Sequence, residues 1–182
     1  MDTKLLKHIK EVRDAFVKSD VVGMRILSNS LIEEAAIEND KRLAEIALIG
    51  YSLHKLSTKE HIVSHSRWVK VKRKVISSLE KAIGFIESGN KAGFEKTVRG
   101  IDEELRSIDF ELGYFVQGLL EKARVKYAAN AYSLGLSLSQ ATELTGADKK
   151  SVLEYVGATK IVDKEKAPKG IGARLKKLRK VL

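Results

Sequence analysis

The stretch Leu136–Gly157, LSLSQATELTGADKKSVLEYVG, decides the fold of the C-terminal third. Ser137, followed three residues on by Gln140, has the form of a capping box, in which a hydroxyl and an amide satisfy the orphan backbone donors at a helix start. A helix is therefore expected from Leu138. Leu144 closes its apolar side, and Gly146 supplies the left-handed conformation that a sharp helix stop requires. Asp148 then caps a second helix, which carries Lys149, Lys150 and Ser151 in its first turn and buries Val152 with Tyr155 or Val156. The expected unit is helix, tight turn, helix.

That spacing lets a second helix project into a major groove. The stretch resembles the helix-turn-helix superfamily, in which a small residue precedes the turn glycine by four positions and an aliphatic follows it by six. Thr142 and Val152 hold those places. Thr142 stands where the superfamily usually has alanine, so its hydroxyl needs a partner at the helix crossing. The resemblance implies duplex DNA as ligand. On the face toward it, Leu153 could meet a thymine methyl, and Glu154 would have to accept from a cytosine amino group to avoid repelling phosphate.

Charge supports the same direction. The chain of 182 residues has a formal net charge of +10. From Ala147 to Leu182 there are eleven lysines and arginines against four acids, a net +7. Positive charge beside a groove-reading helix is what a phosphate backbone selects. Lys149, Lys150 and Ser151 are therefore the expected contacts at the groove. Arg174, Lys176, Lys177, Arg179 and Lys180 are expected to neutralise phosphates from a C-terminal basic helix, whose stripe Ile171, Leu175, Leu178 and Leu182 would dock on the body or a second subunit. Between Gly157 and that helix, ATKIVDKEKAPKG contains the only proline and reads as an extended arm. A second basic run, RWVKVKRK at Arg67–Lys74, holds five cations and no acid. A solvated surface is its plainer reading. Trp68 within it could stack on a base, although a lone tryptophan is more often a core anchor.

Working outward, the remainder reads as helices. Leu5, Ile9, Val12 and Phe16 recur at steps of four and three, an amphipathic helix over residues 3–18. Asp20 caps a second helix reaching Glu38, and Asn39 or Asp40 ends it and caps a third, KRLAEIALIGYSLHKL, apolar on two sides. A fourth helix is expected from Ser57 and Thr58 to Ile86, ended by SGNKAG at Ser88–Gly93. Gly100 or Gly113 could separate a fifth from a sixth. Ile101, Leu105, Ile108, Leu112, Phe115 and Leu119 form a heptad seam suited to a neighbouring helix of the same chain, with a homodimer as the second option. Lys18-Ser19-Asp20 with Met24, and Ser88-Gly89-Asn90 with Phe94, echo each other at an offset of 70 residues as two similar turns.

The expected fold is thus all-α: N-terminal antiparallel helical hairpins at 1–120, a trihelical helix-turn-helix at 121–157, and a basic arm with C-terminal helix at 158–182. This architecture resembles small archaeal-type helical proteins with a C-terminal helix-turn-helix. A hydrophobic fraction of 43% describes a folded chain. No apolar run reaches membrane-span length and the chain starts on the charged MDTKLLKHIK, so a cytoplasmic protein with no membrane partner is expected. Without cysteine there is neither disulfide nor thiolate metal site.

Catalytic patterns are sparse. His54, His61 and His65 could share one helical face and bind a metal, but LSTKE at Leu56–Glu60 interrupts the helix, and the glutamate of the zinc-protease motif is missing. Glu33-Glu34 with Glu38, and Glu103-Glu104 with Asp109, lack the histidines of a di-iron bundle and read as solvated faces. No nucleotide loop or nucleophile elbow occurs, so neither enzyme activity nor a cofactor is expected. The expected function is nucleic-acid binding, DNA before RNA, in a regulatory role. The competing reading is a helical interaction scaffold that uses the basic tail and Leu153 to hold an acidic protein.

Overall fold

Asp20 and Asn90 show how local chemistry shapes the chain into hairpins. In the computed structural model, which describes residues 2–112 and 115–159 and the side chains of these other than 106–117, both residues sit in turns of one design. Ser19 and Gly89, with φ of 56° and 72°, reverse the chain. The Asp20 and Asn90 amides each donate 2.8 Å back, to the carbonyls of Ala15 and Phe85. Their side chains then accept from Gly23 and Gly93, at 2.8 and 2.9 Å, to start the next helix. Met24 and Phe94 enter the core just after, 0% and 2% exposed. The echo at an offset of 70 residues is therefore a repeated turn geometry.

The first turn joins α1 (Thr3–Val17) to α2 (Val21–Glu38); the second joins α5 (Trp68–Glu87) to α6 (Lys91–Leu112). Between these pairs lie α3 (Lys41–Ser57) and the single-turn α4 (Glu60–Val63), and after them come α7 (Phe115–Ser133), α8 (Leu138–Thr145) and α9 (Lys149–Thr159). The fold is all-α, and the described residues contain no strand. None of the described helices is long and apolar enough to cross a membrane.

α3 is the axis of the body. Its Leu43, Ile46, Ala47, Leu53 and Leu56 are buried, and it touches α1, α2, α6, α7 and α8. Its closest partner is α2, which it meets at Gly50. A Cβ there would lie 2.7 Å from the Ser28 hydroxyl, so only glycine lets the two backbones approach this far. α1 packs on α5 through an edge-to-face contact between Phe16 and Trp68, ring centroids 6.2 Å apart. Carboxylates on α2 serve that body as well: Glu34 and Glu38 both pair with Lys4 of α1.

The expected helix from Ser57 to Ile86 is instead two helices. After α4 the chain turns through Ser64–Arg67, with the His65 amide on the Ile62 carbonyl and the Trp68 amide on the His65 carbonyl. Ser64 Oγ also donates to the Glu60 carbonyl at 2.6 Å, a local bond of the kind that competes with helix continuation. Gly100, by contrast, lies inside α6 and breaks nothing. Of the heptad seam, Ile101 and Leu105 are buried in the chain's own core and Leu119 packs against it; the side chains of Ile108, Leu112 and Phe115 lie outside the described residues.

Candidate nucleic-acid interface

Ser137 builds the entrance to this region. Its Oγ accepts from the Gln140 amide at 3.1 Å, and the Gln140 side chain accepts from the Ser137 amide at 2.9 Å, a complete capping box. α8 ends at Gly146, whose φ of 70° is left-handed and whose amide donates 2.8 Å to the Thr142 carbonyl. Asp148 then receives both the Ser151 amide, at 2.8 Å, and the Ser151 hydroxyl, at 2.9 Å. The Ser151 and Lys150 amides and the nearby Lys150 charge hold the Asp148 carboxyl below the usual carboxylate range.

The crossing of α8 over α7 is crowded but satisfied. Ala141, Thr142, Leu144 and Thr145 are buried. The Thr142 hydroxyl donates to the Ser139 carbonyl at 3.0 Å and that of Thr145 to the Ala141 carbonyl at 2.9 Å, so a threonine in place of alanine leaves no orphan group. Val152 is fully buried and seats α9, with Tyr155 and Val156 half-buried beside it. α8 and α9 both rest on α7, and α8 also touches α2 and α3. Residue 120, where the N-terminal module was expected to end, lies inside α7.

The opposite face of α9 is open. Lys149, Lys150, Leu153, Glu154 and Gly157 are exposed, Leu153 at 53%. Among the described residues neither Lys149 nor Lys150 is in an ion pair. Ser151 differs from its two neighbours: it is half-buried and its hydroxyl is committed to the Asp148 cap. Ala158 and Thr159, expected to begin the extended arm, continue α9 instead; the rest of the arm and Arg174, Lys176, Lys177, Arg179 and Lys180 lie outside the described residues.

One contributor has no local sequence signal. Arg124 of α7 donates from Nη1 to the Thr145 carbonyl at 2.8 Å and reaches Asp102 of α6 with Nη2 at 3.5 Å. The guanidinium thus caps the C-terminal end of α8, where partial negative charge accumulates, and ties the turn to the body. It is 21 residues from Thr145, a distance only the tertiary fold closes.

The second basic run is partly engaged by the protein's own body. Lys72 donates to Ser19 Oγ at 2.7 Å and lies over the Phe16 ring, Lys74 pairs with Glu104, and the Trp68 indole is engaged with Phe16. The three histidines also separate: His54 is buried on α3, where its Nδ1–H donates to the Val21 carbonyl at 2.8 Å; His61 is on α4; and His65 lies in the following turn, accepting from the Arg67 amide. The described residues contain no group of three metal-ligating side chains.

No family model, curated protein or solved structure matches the chain.

Proposed function

We propose that this protein binds nucleic acid, duplex DNA first, through the outward face of α9, and that α7, α8 and α9 act as a helix-turn-helix unit. The supporting observation is the division of α9 into two faces: Val152 anchors one, while the other presents Lys149 and Lys150 unpaired at the helix's N-terminal turn. The two lysine charges favour a phosphate there, while the positive end of the helix dipole is taken by the Asp148 carboxylate. Ser151 acts as part of the cap that orients the helix, and the lysines act as the contacts. The C-terminal cations Arg174, Lys176, Lys177, Arg179 and Lys180 add to the attraction through net charge.

The test is fluorescence anisotropy with a mixed-sequence duplex at two salt concentrations, for the wild type and for Lys149→Ala with Lys150→Ala. Each phosphate contact contributes about 0.9 to the slope of log affinity against log salt, so the double variant should lose roughly two units of slope. A single-stranded RNA run in parallel separates the two nucleic acids. Absence of binding to any duplex at low salt would sink the proposal.

A second reading has its own support. Leu153 on α9, and Val22, Ile26 and Ile37 on α2, are exposed apolar residues, at 53% to 61%. Such positions suit a protein partner, and that scaffold role gains if nucleic acid fails to bind.

A further inference from the structure

Two lysines from two helices lie over one aromatic ring, and an exposed arginine of a third helix is near enough to one of them to interact electrostatically. Lys55 Nζ of α3 lies 5.5 Å from the centroid of the Tyr51 ring, and Lys126 Nζ of α7 lies 4.8 Å from it. Arg25 stands on α2 one turn beyond Val21, whose carbonyl accepts from His54 at 2.8 Å, and this bond holds α2 against α3 at that level. Tyr155 of α9 is close enough to Tyr51 for the two to interact electrostatically.

This grouping carries no counter-charge of its own. Several other described cations are paired: Lys4 with Glu34 and Glu38, Lys10 with Glu87, Arg42 with Asp2 and Asp40, Lys74 with Glu104. Among the described residues no carboxylate pairs with Arg25, Lys55 or Lys126. Lys55 and Lys126 are half-buried, so solvent screens them less than surface lysines. Burial and then the charges of Lys55 and Arg25 push the Lys126 ammonium below its ordinary pKa. Burial likewise lowers His54, and the same three cations lower it further. The tertiary fold has therefore brought together like charges that repel. The Tyr51 ring holds two of them through its negative face. It offsets part of the repulsion but supplies no counter-charge.

We propose that Arg25, Lys55 and Lys126 form a binding site for a phosphoryl group, organised on the Tyr51 ring. A guanidinium fork with two ammonium point charges matches a multiply charged tetrahedral oxyanion, and a bound anion would remove the repulsion that the empty site carries. The phosphoryl group could come from a small phosphate compound or from a nucleic-acid backbone. The site uses neither Lys149 nor Lys150 and stands independently of the function proposed above.

The probes are inorganic pyrophosphate and a 12-base-pair duplex, each titrated calorimetrically into the full chain at ionic strength fixed with sodium chloride. Saturable pyrophosphate binding that weakens at least tenfold in Lys126→Gln, and is unchanged in Lys149→Ala with Lys150→Ala, supports the site with a small phosphate as its source. Duplex binding that weakens at least fivefold in Lys126→Gln, with no pyrophosphate bound, supports it with the backbone as its source. In either case the anion-free Lys126→Gln protein should melt no lower than the wild type, because the substitution relieves repulsion. If that variant does not fold, Lys55→Gln carries the same measurements. Pyrophosphate and duplex binding that are both absent from the wild type, or both unchanged in the variants, overturn the proposal. Pyrophosphate binding without duplex binding would uphold the site while refuting the nucleic-acid function.

Discussion

Replacing Gly146 with alanine tests the turn on which the C-terminal region depends. At φ of 70° an L-residue is strained, which costs roughly 1 kcal/mol. The added Cβ would also lie 2.8 Å from Arg124 Nη1, too close to remain. The guanidinium, the far end of a flexible side chain, must then shift, which weakens the 2.8 Å bond it donates to the Thr145 carbonyl. A hydrogen bond to a charged group contributes about 1.5–3 kcal/mol when buried, and partial exposure of Arg124 reduces this to about 1. The total is at most about 2 kcal/mol. For a chain of this length that corresponds to a fall in melting temperature of roughly 4–8 °C.

Thermal and urea melts followed by far-ultraviolet circular dichroism measure this loss, and a double-mutant cycle separates its two parts. Arg124→Ala alone should cost about 1 kcal/mol, and adding Gly146→Ala to it only about 1 more, because the clash is gone. Gly100→Ala is the internal control: its Cβ would meet nothing within 4 Å and it lies inside α6, so it should be neutral or raise stability by up to about 1 kcal/mol. A Gly146→Ala loss under about 0.5 kcal/mol, or strict additivity with Arg124→Ala, would show that the guanidinium does not hold this turn.

Tyr127 is fully buried between α7 and α3, 5.3 Å from the Tyr51 ring, and its hydroxyl has no hydrogen-bond partner. The nearby Ser28 hydroxyl donates to the Met24 carbonyl at 2.6 Å and keeps only acceptor capacity, and burial pushes the phenol pKa up. Tyr127→Phe should therefore raise stability, by about 1 kcal/mol, and a melt showing a loss instead would reveal a partner for the hydroxyl. Burial holds His54 neutral by lowering its pKa below that of the unfolded chain, so protonation favours unfolding. Its contribution is complete above the unfolded value of about 6.5 and is lost as pH falls below it. Comparing melts at pH 7.5 and pH 5, the wild type should lose more stability than His54→Gln, whose side chain does not titrate; an equal or smaller loss in the wild type refutes this.

Much of the local structure was legible because its causes lie within a few residues. The Ser137–Gln140 box, the Gly146 stop and the Asp148 cap are each a side chain acting on backbone three or fewer residues away, or a glycine adopting a conformation others avoid. The caps Asp20 and Asp40 and the stripe of α1 are of the same kind. The helix expected across Ser64–Arg67 failed for the converse reason: apolar spacing resumes beyond the break, and the turn is held by weak local bonds that periodicity does not register.

By itself, then, the amino-acid sequence determined that this protein is helical, where most of its helices begin and stop, and that its C-terminal third carries excess positive charge. Only the tertiary structure decided which cations are paired and which are left bunched. Arg124 reaches the end of α8 across 21 residues, Lys74 finds Glu104 across 30, and Lys55 and Lys126 converge on Tyr51. Charges interact through space over distances that chain order does not encode, whereas caps and turns act through neighbouring backbone.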